Sequence, residues 1–272
     1  MLCESRIGTK SYTHIVEPEY QVKDKSLEGL GADLNRLAAG EPVQYVIGFA
    51  DFCGLRFKVT PDVLIPRPET ELLCREAIKI GSRMQRMRKA YGKSAKPVRV
   101  LDLCTGSGCI AWTVALNIPG AEVTGVDISE KAVAVASSQD FAAKIKESGA
   151  SAPKFVVADV LAGNQTFTEG DYDLILSNPP YIMESQKSQM RVNVLNYEPS
   201  TALFVEDSDP LVFYRSIAVL SRTCLSAEGK GLTEINELLG PETQKVFSEA
   251  GFQKIDLVKD FYDKNRFVFY SK

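Results

Sequence analysis

From Val98 to Ala250 the chain alternates short apolar runs with longer amphipathic ones. The apolar runs Val98–Leu103, Glu122–Asp127, Lys154–Asp159, Tyr172–Asn178 and Gly231–Ile235 read as strands. Between them, Cys109–Leu116, Ser129–Ser148, Pro210–Leu225 and Pro241–Ala250 carry helical spacing. A helix between two strands returns the chain to the same end of the sheet, so the strands run parallel and both faces are covered. The last two strands, Gln253–Lys259 and Arg266–Tyr270, are joined by a link too short for a helix and must pair antiparallel. The expected fold is α/β: a doubly wound, seven-stranded, mostly parallel sheet whose last strand is antiparallel.

Upstream the pattern is different. Residues 1–40 suggest a small, partly irregular N-terminal helical cap, with Asp33–Ala39 as a helix ending at Gly40. Residues 41–71 contain an alternating run, Phe52–Val59, followed by Ile65-Pro-Arg-Pro-Glu-Thr-Glu71. This predicts a β-hairpin and a proline-stiffened segment. That segment is either a plain linker or a lip over a pocket, with Arg67 and Thr70 facing in. Residues 72–272 form the main domain, opening on a helix that runs to about Met87 and interrupted by a long polar loop, Met183–Asp209.

Several classes of chemistry are disfavoured by what the chain lacks. Its one histidine, His14, leaves no base or ligand set of the usual kind, and no metal is expected. The six cysteines show no C-x-x-C spacing, as expected of free thiols in a reducing compartment, and no apolar run reaches membrane-spanning length. A soluble, cytoplasmic protein is expected. At a net charge of −3, a broadly basic nucleic-acid surface is not expected. The segment Arg83–Arg99 is the exception: Arg83, Arg86, Arg88, Lys89, Lys93, Lys96 and Arg99 occur without an acid. It reads as a solvated helix end or as a docking surface for an acidic or RNA-bearing partner.

Thr105-Gly-Ser-Gly108 follows the first strand of the alternation and opens a helix, so backbone amides can approach a ligand closely. Asp127 lies 19 residues beyond Gly108, where a ribose-binding acid belongs. The turn itself fits either a nicotinamide cofactor or S-adenosylmethionine. Asp102 inside the first strand, Asp159 at the end of the third and Asn178 at the end of the fourth favour the second, because a sulfonium suits acidic, oxygen-rich surroundings. Asp102 is expected to meet a cationic group, and Asp159 an adenine amine.

The fourth strand runs into Asn178-Pro-Pro-Tyr181. Two prolines fix φ near −65° and remove two backbone donors. The Asn178 amide and the free carbonyls thus form a rigid acceptor pair beside the Tyr181 ring. Such a corner suits a planar –NH2 group, whose hydrogens meet acceptors while a ring covers its plane.

With these residues the chain resembles the class I S-adenosylmethionine-dependent methyltransferases, and within them the HemK/PrmC family of release factor glutamine methyltransferases. The resemblance rests on Glu41-Pro-Val-Gln-Tyr45, Phe52-Cys-Gly-Leu-Arg-Phe57, Leu64-Ile-Pro-Arg-Pro-Glu-Thr-Glu71, Leu101-Asp-Leu-Cys-Thr-Gly-Ser-Gly108, Asn178-Pro-Pro-Tyr181, Tyr197-Glu-Pro199, and Lys259-Asp260 with Arg266. It implies a Rossmann-like methyltransferase domain that uses S-adenosyl-L-methionine and yields S-adenosyl-L-homocysteine. The substrate it implies is a peptide chain release factor, methylated on the side-chain amide nitrogen of its Gly-Gly-Gln glutamine. It further implies cofactor contacts from Thr105, Gly106, Ser107, Gly108, Asp127, Val160 and Asn178. Glutamine would be bound by Asn178, Pro179, Pro180 and Tyr181. Two departures stand out. Cys104 occupies a position where the family usually has glycine, which strains the loop if φ is positive there. The 40 residues before Glu41 are also short for the family's substrate-reaching domain. The competing readings are an adenine-N6 methyltransferase of DNA or RNA using the same Asn-Pro-Pro-Tyr motif, an NAD-dependent oxidoreductase, and a non-catalytic binding protein. Nucleic acid is not required on the preferred reading.

Overall fold

A computed structural model describes residues 1–10, 12–22, 27–91, 96–162 and 172–272. Among the described residues four short helices open the chain: α1 (Leu2–Ile7), α2 (Thr13–Val16), α3 (Leu30–Ala38) and α4 (Val43–Ile47). Of these, α1, α3 and α4 are joined by Leu2, Val46 and Ile47, with Leu30 and Leu37 packed against them, and by an ion pair of 2.6 Å between Arg6 and Asp33. A hairpin of β1 (Phe49–Phe52) and β2 (Leu55–Lys58) follows. Its turn, Cys53-Gly54, has φ of 50° and 72°, the left-handed pair that a two-residue hairpin requires. The lip then leads into α5 (Thr70–Ala90).

The main sheet comprises β3 (Arg99–Leu103), β4 (Glu122–Asp127), β5 (Lys154–Val157), β6 (Tyr172–Ser177), β9 (Leu225–Glu234), β10 (Lys254–Lys259) and β11 (Asn265–Ser271). A separate two-stranded pair, β7 (Ile182–Met183) and β8 (Phe204–Val205), lies in the loop between β6 and β9. The order across the main sheet is β10-β11-β9-β6-β3-β4-β5. All neighbours are parallel except β11, which is antiparallel to both β9 and β10. This is the expected seven-stranded, doubly wound sheet with its last strand reversed. Every residue of the central strand β6 is buried. Leu174 and Leu176 meet α5 and α6 (Cys109–Asn117) on one face. Ile175 meets Tyr214, Ile217 and Phe247 on the other, from α10 (Val212–Cys224) and α11 (Gly240–Glu249).

Three local readings are corrected. The single helix expected over Ser129–Ser148 is two, α7 (Glu130–Ser137) and α8 (Ala142–Ser148). Gln139 in the break turns inward: it accepts from Lys58 N (2.9 Å) and donates to the carbonyls of Lys58 and Ser107 (both 3.0 Å). Three hydrogen bonds to other segments outweigh the roughly one turn of helix interrupted between Ser137 and Ala142. The polar loop Met183–Asp209 is ordered by the β7–β8 pair, a 3-10 turn at Glu184–Gln189 and α9 (Val192–Tyr197). Strand β9 starts six residues before the expected Gly231, at Leu225.

The strand order reverses between β3 and β6. Successive crossovers leave β3 toward β4 and β5, then return to its other side for β6 and β9. Loops after these two strands diverge and leave a crevice at their carboxyl ends, where an open α/β sheet binds its ligands. The glycine turn follows β3 and Asn178–Tyr181 follows β6, so both face that crevice.

Candidate active site

The turn after β3 is braced from below. Thr105 N donates to Val126 O (2.9 Å), and Gly106 N to Asp127 Oδ2 (2.8 Å). The other oxygen of Asp127 accepts from Ser129 N (3.0 Å), and Ser129 caps α7 through Ala132 N. Burial holds the Asp127 carboxyl above its ordinary pKa, opposed by these backbone donors. Gly106 has φ of 54° and open space where a Cβ would stand, so a ligand can lie against its backbone. Gly108 has a different job. At φ 78° its Cβ position is within 3.1 Å of Ala136, Phe155 and Trp112, so it is turned to the packing beneath the loop.

Asp102 was expected to meet a cationic group, but it is fully buried inside the turn. One carboxylate oxygen accepts from Thr105 Oγ1 (2.6 Å) and Ala111 N (3.1 Å), while the other is buried without a partner among the described residues. Desolvation pushes its pKa up to about 7.

A cavity of about 340 Å³ opens over the turn. Gly106, Asp127, Asp159, Val160 and Asn178 all line it, with Ile128, Leu161, Phe204 and Phe213 adding apolar walls. Thr105 and Ser107 line a smaller, adjoining space of about 40 Å³ with Arg67, Thr70 and Asn178. A third cavity of about 250 Å³ is lined by Arg67, Asn178, Pro179 and Tyr181 together with Met190, Val194 and Leu203. Pro180 faces the first cavity, Pro179 and Tyr181 the third. Asn178 borders all three.

The lip is fixed by partners that its own sequence does not reveal. Arg67 donates to Glu198 Oε1 (2.7 Å), and Glu198, itself buried, also accepts from Ile65 N (3.2 Å). Thr70 is 2% exposed, and its hydroxyl donates to Glu234 Oε2 (2.7 Å) while accepting from Asn178 Nδ2 (3.1 Å). Tyr181 donates its hydroxyl to the other oxygen of Glu234 (2.9 Å). Sequence reasoning passed over Glu234; the one available signal was an acid closing an apolar strand. The basic run is partly structural. Arg88 forks onto Asp173 with two bonds (2.9 and 2.5 Å) and also donates to Pro97 O.

Apolar faces for a base, carboxylates for hydroxyls and an amine, and an open glycine backbone suit a nucleoside-bearing group. Comparison with known proteins identifies it. The methyltransferase small domain model matches residues 71–203. A release factor glutamine methyltransferase of Bacteroides thetaiotaomicron is 38% identical over 90% of this chain and 80% of its own length. Another, from Flavobacterium psychrophilum, is 37% identical over 93% of this chain and 84% of its own. This chain belongs to the release factor glutamine methyltransferase family. It is an S-adenosylmethionine-dependent methyltransferase. The fold is also that of a SAM-dependent methyltransferase from Agrobacterium tumefaciens, with a TM-score of 0.50 at 16% identity over 82% of this chain and 69% of the other. No helix among the described residues is long and apolar enough to cross a membrane.

Proposed function

We propose that this enzyme methylates the side-chain amide nitrogen of the Gly-Gly-Gln glutamine of a peptide chain release factor in the cytoplasm, with Asn178 presenting that nitrogen to the cofactor. One observation carries the reading: Asn178 borders both the cavity beside Gly106 and Asp127 and the cavity beside Arg67 and Tyr181. S-adenosylmethionine supplies an electrophilic methyl group. Gly106, Asp127, Asp159 and Val160 hold it in the larger cavity, with Thr105 and Ser107 shaping the adjoining space.

An amide nitrogen is a weak nucleophile because its lone pair is delocalised into the carbonyl. The site must therefore orient it and favour a nitrogen that sheds that conjugation. Asn178 already gives one amide hydrogen to Thr70, which turns Oδ1 away from Thr70 as an acceptor. Oδ1 and the Pro179 carbonyl take the two N–H groups of the glutamine, and the Tyr181 ring lies along the amide plane. Orientation of this kind is worth roughly 7–11 kcal/mol at best. The amide proton leaves to water after transfer, since no histidine borders the cavities.

The test is labelled-methyl transfer by the full chain to a purified release factor, with duplex DNA and RNA as competing acceptors. Label on the release factor glutamine is expected, and Asn178→Ala should lower kcat about a hundredfold or more while the cofactor Kd changes little. Label on nucleic acid alone, or a near-parental kcat in Asn178→Ala, overturns the reading.

A further inference from the structure

Glu234 lines none of the three cavities, yet two of the residues that do are bonded to it. It ends β9, one position beyond the Thr233–Ser177 pairing with β6, and is 1% exposed. An ionised carboxylate only accepts hydrogen bonds. Its two oxygens take the hydroxyl protons of Thr70 (2.7 Å) and Tyr181 (2.9 Å). Thr70 has a single proton to give. With that proton committed to Glu234, its oxygen can only accept, and what it accepts is Asn178 Nδ2–H at 3.1 Å.

An asparagine amide has an oxygen on one side and a nitrogen on the other, nearly alike in shape and opposite in hydrogen-bonding sense. We infer that Glu234 is a positioning residue: through the Thr70 hydroxyl it fixes which way the Asn178 amide faces, and so makes that side chain an acceptor toward the substrate nitrogen. The inference rests on Asn178 binding the glutamine amide as proposed above. A neutral group in place of the carboxylate lets Thr70 receive a hydrogen bond and donate its own proton to Asn178. The amide then turns over and presents –NH2 to –NH2. Burial raises the pKa of Glu234, but Thr70, Tyr181 and the Arg266 guanidinium all oppose the rise. Arg266 is itself held by Asp260 (3.0 Å) and Glu237 (3.3 Å).

The experiment is steady-state methyl transfer to release factor by Glu234→Gln, Thr70→Val and Thr70→Ser in the full chain. Cofactor Kd is measured by calorimetry and folding by thermal melts, with Asn178→Ala alongside. Thr70→Val keeps the shape and removes the hydroxyl, so it remains informative if Glu234→Gln fails to fold. The expected result is a kcat about 30-fold to 100-fold lower in Glu234→Gln and Thr70→Val, in the range of a lost oriented hydrogen bond. Cofactor Kd should stay within threefold, and Thr70→Ser should restore most of the loss. Glu234→Gln or Thr70→Val folding normally with kcat within threefold of the parent overturns the inference, as does a Thr70→Ser no better than Thr70→Val. Asn178→Ala separates the two levels. If it is inactive while the other variants are normal, only the role of Glu234 falls; if it is active, the binding scheme falls with it.

Discussion

Asp102 has one carboxylate oxygen bonded twice and the other bare, in a position with no solvent. Its pKa rises from 3.8 to about 7, so the folded protein binds this proton more tightly than the unfolded chain does. The contribution to stability is therefore complete below the ordinary carboxylate range and is lost as pH rises through about 7. Asp102→Asn keeps an acceptor for Thr105 and Ala111 without the charge. Relative to the parent, the variant should gain about 2–3 kcal/mol of stability between pH 5 and pH 8. Urea unfolding of both proteins at the two pH values measures this, and a gap independent of pH would contradict it. Cys104, beside it, has φ of 61°, a conformation costing a non-glycine residue of order 1 kcal/mol. That strain was legible in the sequence because the family that the chain resembles usually has glycine at this position. The burial of Asp102 was not, because a strand-end acid looks the same whether it points into a cavity or beneath the loop.

At the level of elements, Gln139 joins three pieces: the outer edge of the hairpin, the glycine turn and the break between α7 and α8. Removing its amide leaves the amide and carbonyl of Lys58 and the carbonyl of Ser107 short of partners. Gln139→Ala should cost about 2 kcal/mol of stability. It should also loosen the turn, weakening S-adenosylmethionine binding severalfold, as calorimetry and a thermal melt on the same sample would show. The periodicity of residues 129–148 predicts one helix because every position but a few fits a helical face. What broke it was a tertiary demand at a single residue, which local spacing does not encode. The same limit applies to Glu198 and Glu234: the lip reads as proline-stiffened from its own residues, but its anchors lie more than 100 positions downstream. The Asn178–Tyr181 corner was readable for the opposite reason, since its rigidity comes from adjacent prolines.

For the whole molecule, β/α alternation was enough to specify the sheet, its covered faces and the reversed final strand. Each follows from how a chain can return to a parallel neighbour. The basic run from the end of α5 to the start of β3 was ambiguous from composition; Lys93 lies outside the described residues, and the structure divides the rest. Arg88 closes its guanidinium onto Asp173 at the start of β6, where the Arg99 backbone amide also donates, locking the end of α5 to the centre of the sheet, whereas Arg83, Arg86 and Lys89 are exposed. Arg88→Ala strands a buried carboxylate and should destabilise the protein by about 3–5 kcal/mol. Arg88→Lys should recover only part of this, because an ammonium cannot reproduce the two-pronged contact. Denaturant midpoints of the three proteins test the order.

Because one amide side chain is a wall common to two chambers, the chambers cannot fill independently. Whichever occupant arrives first changes the surface that greets the second, and linkage requires the effect to be equal in both directions.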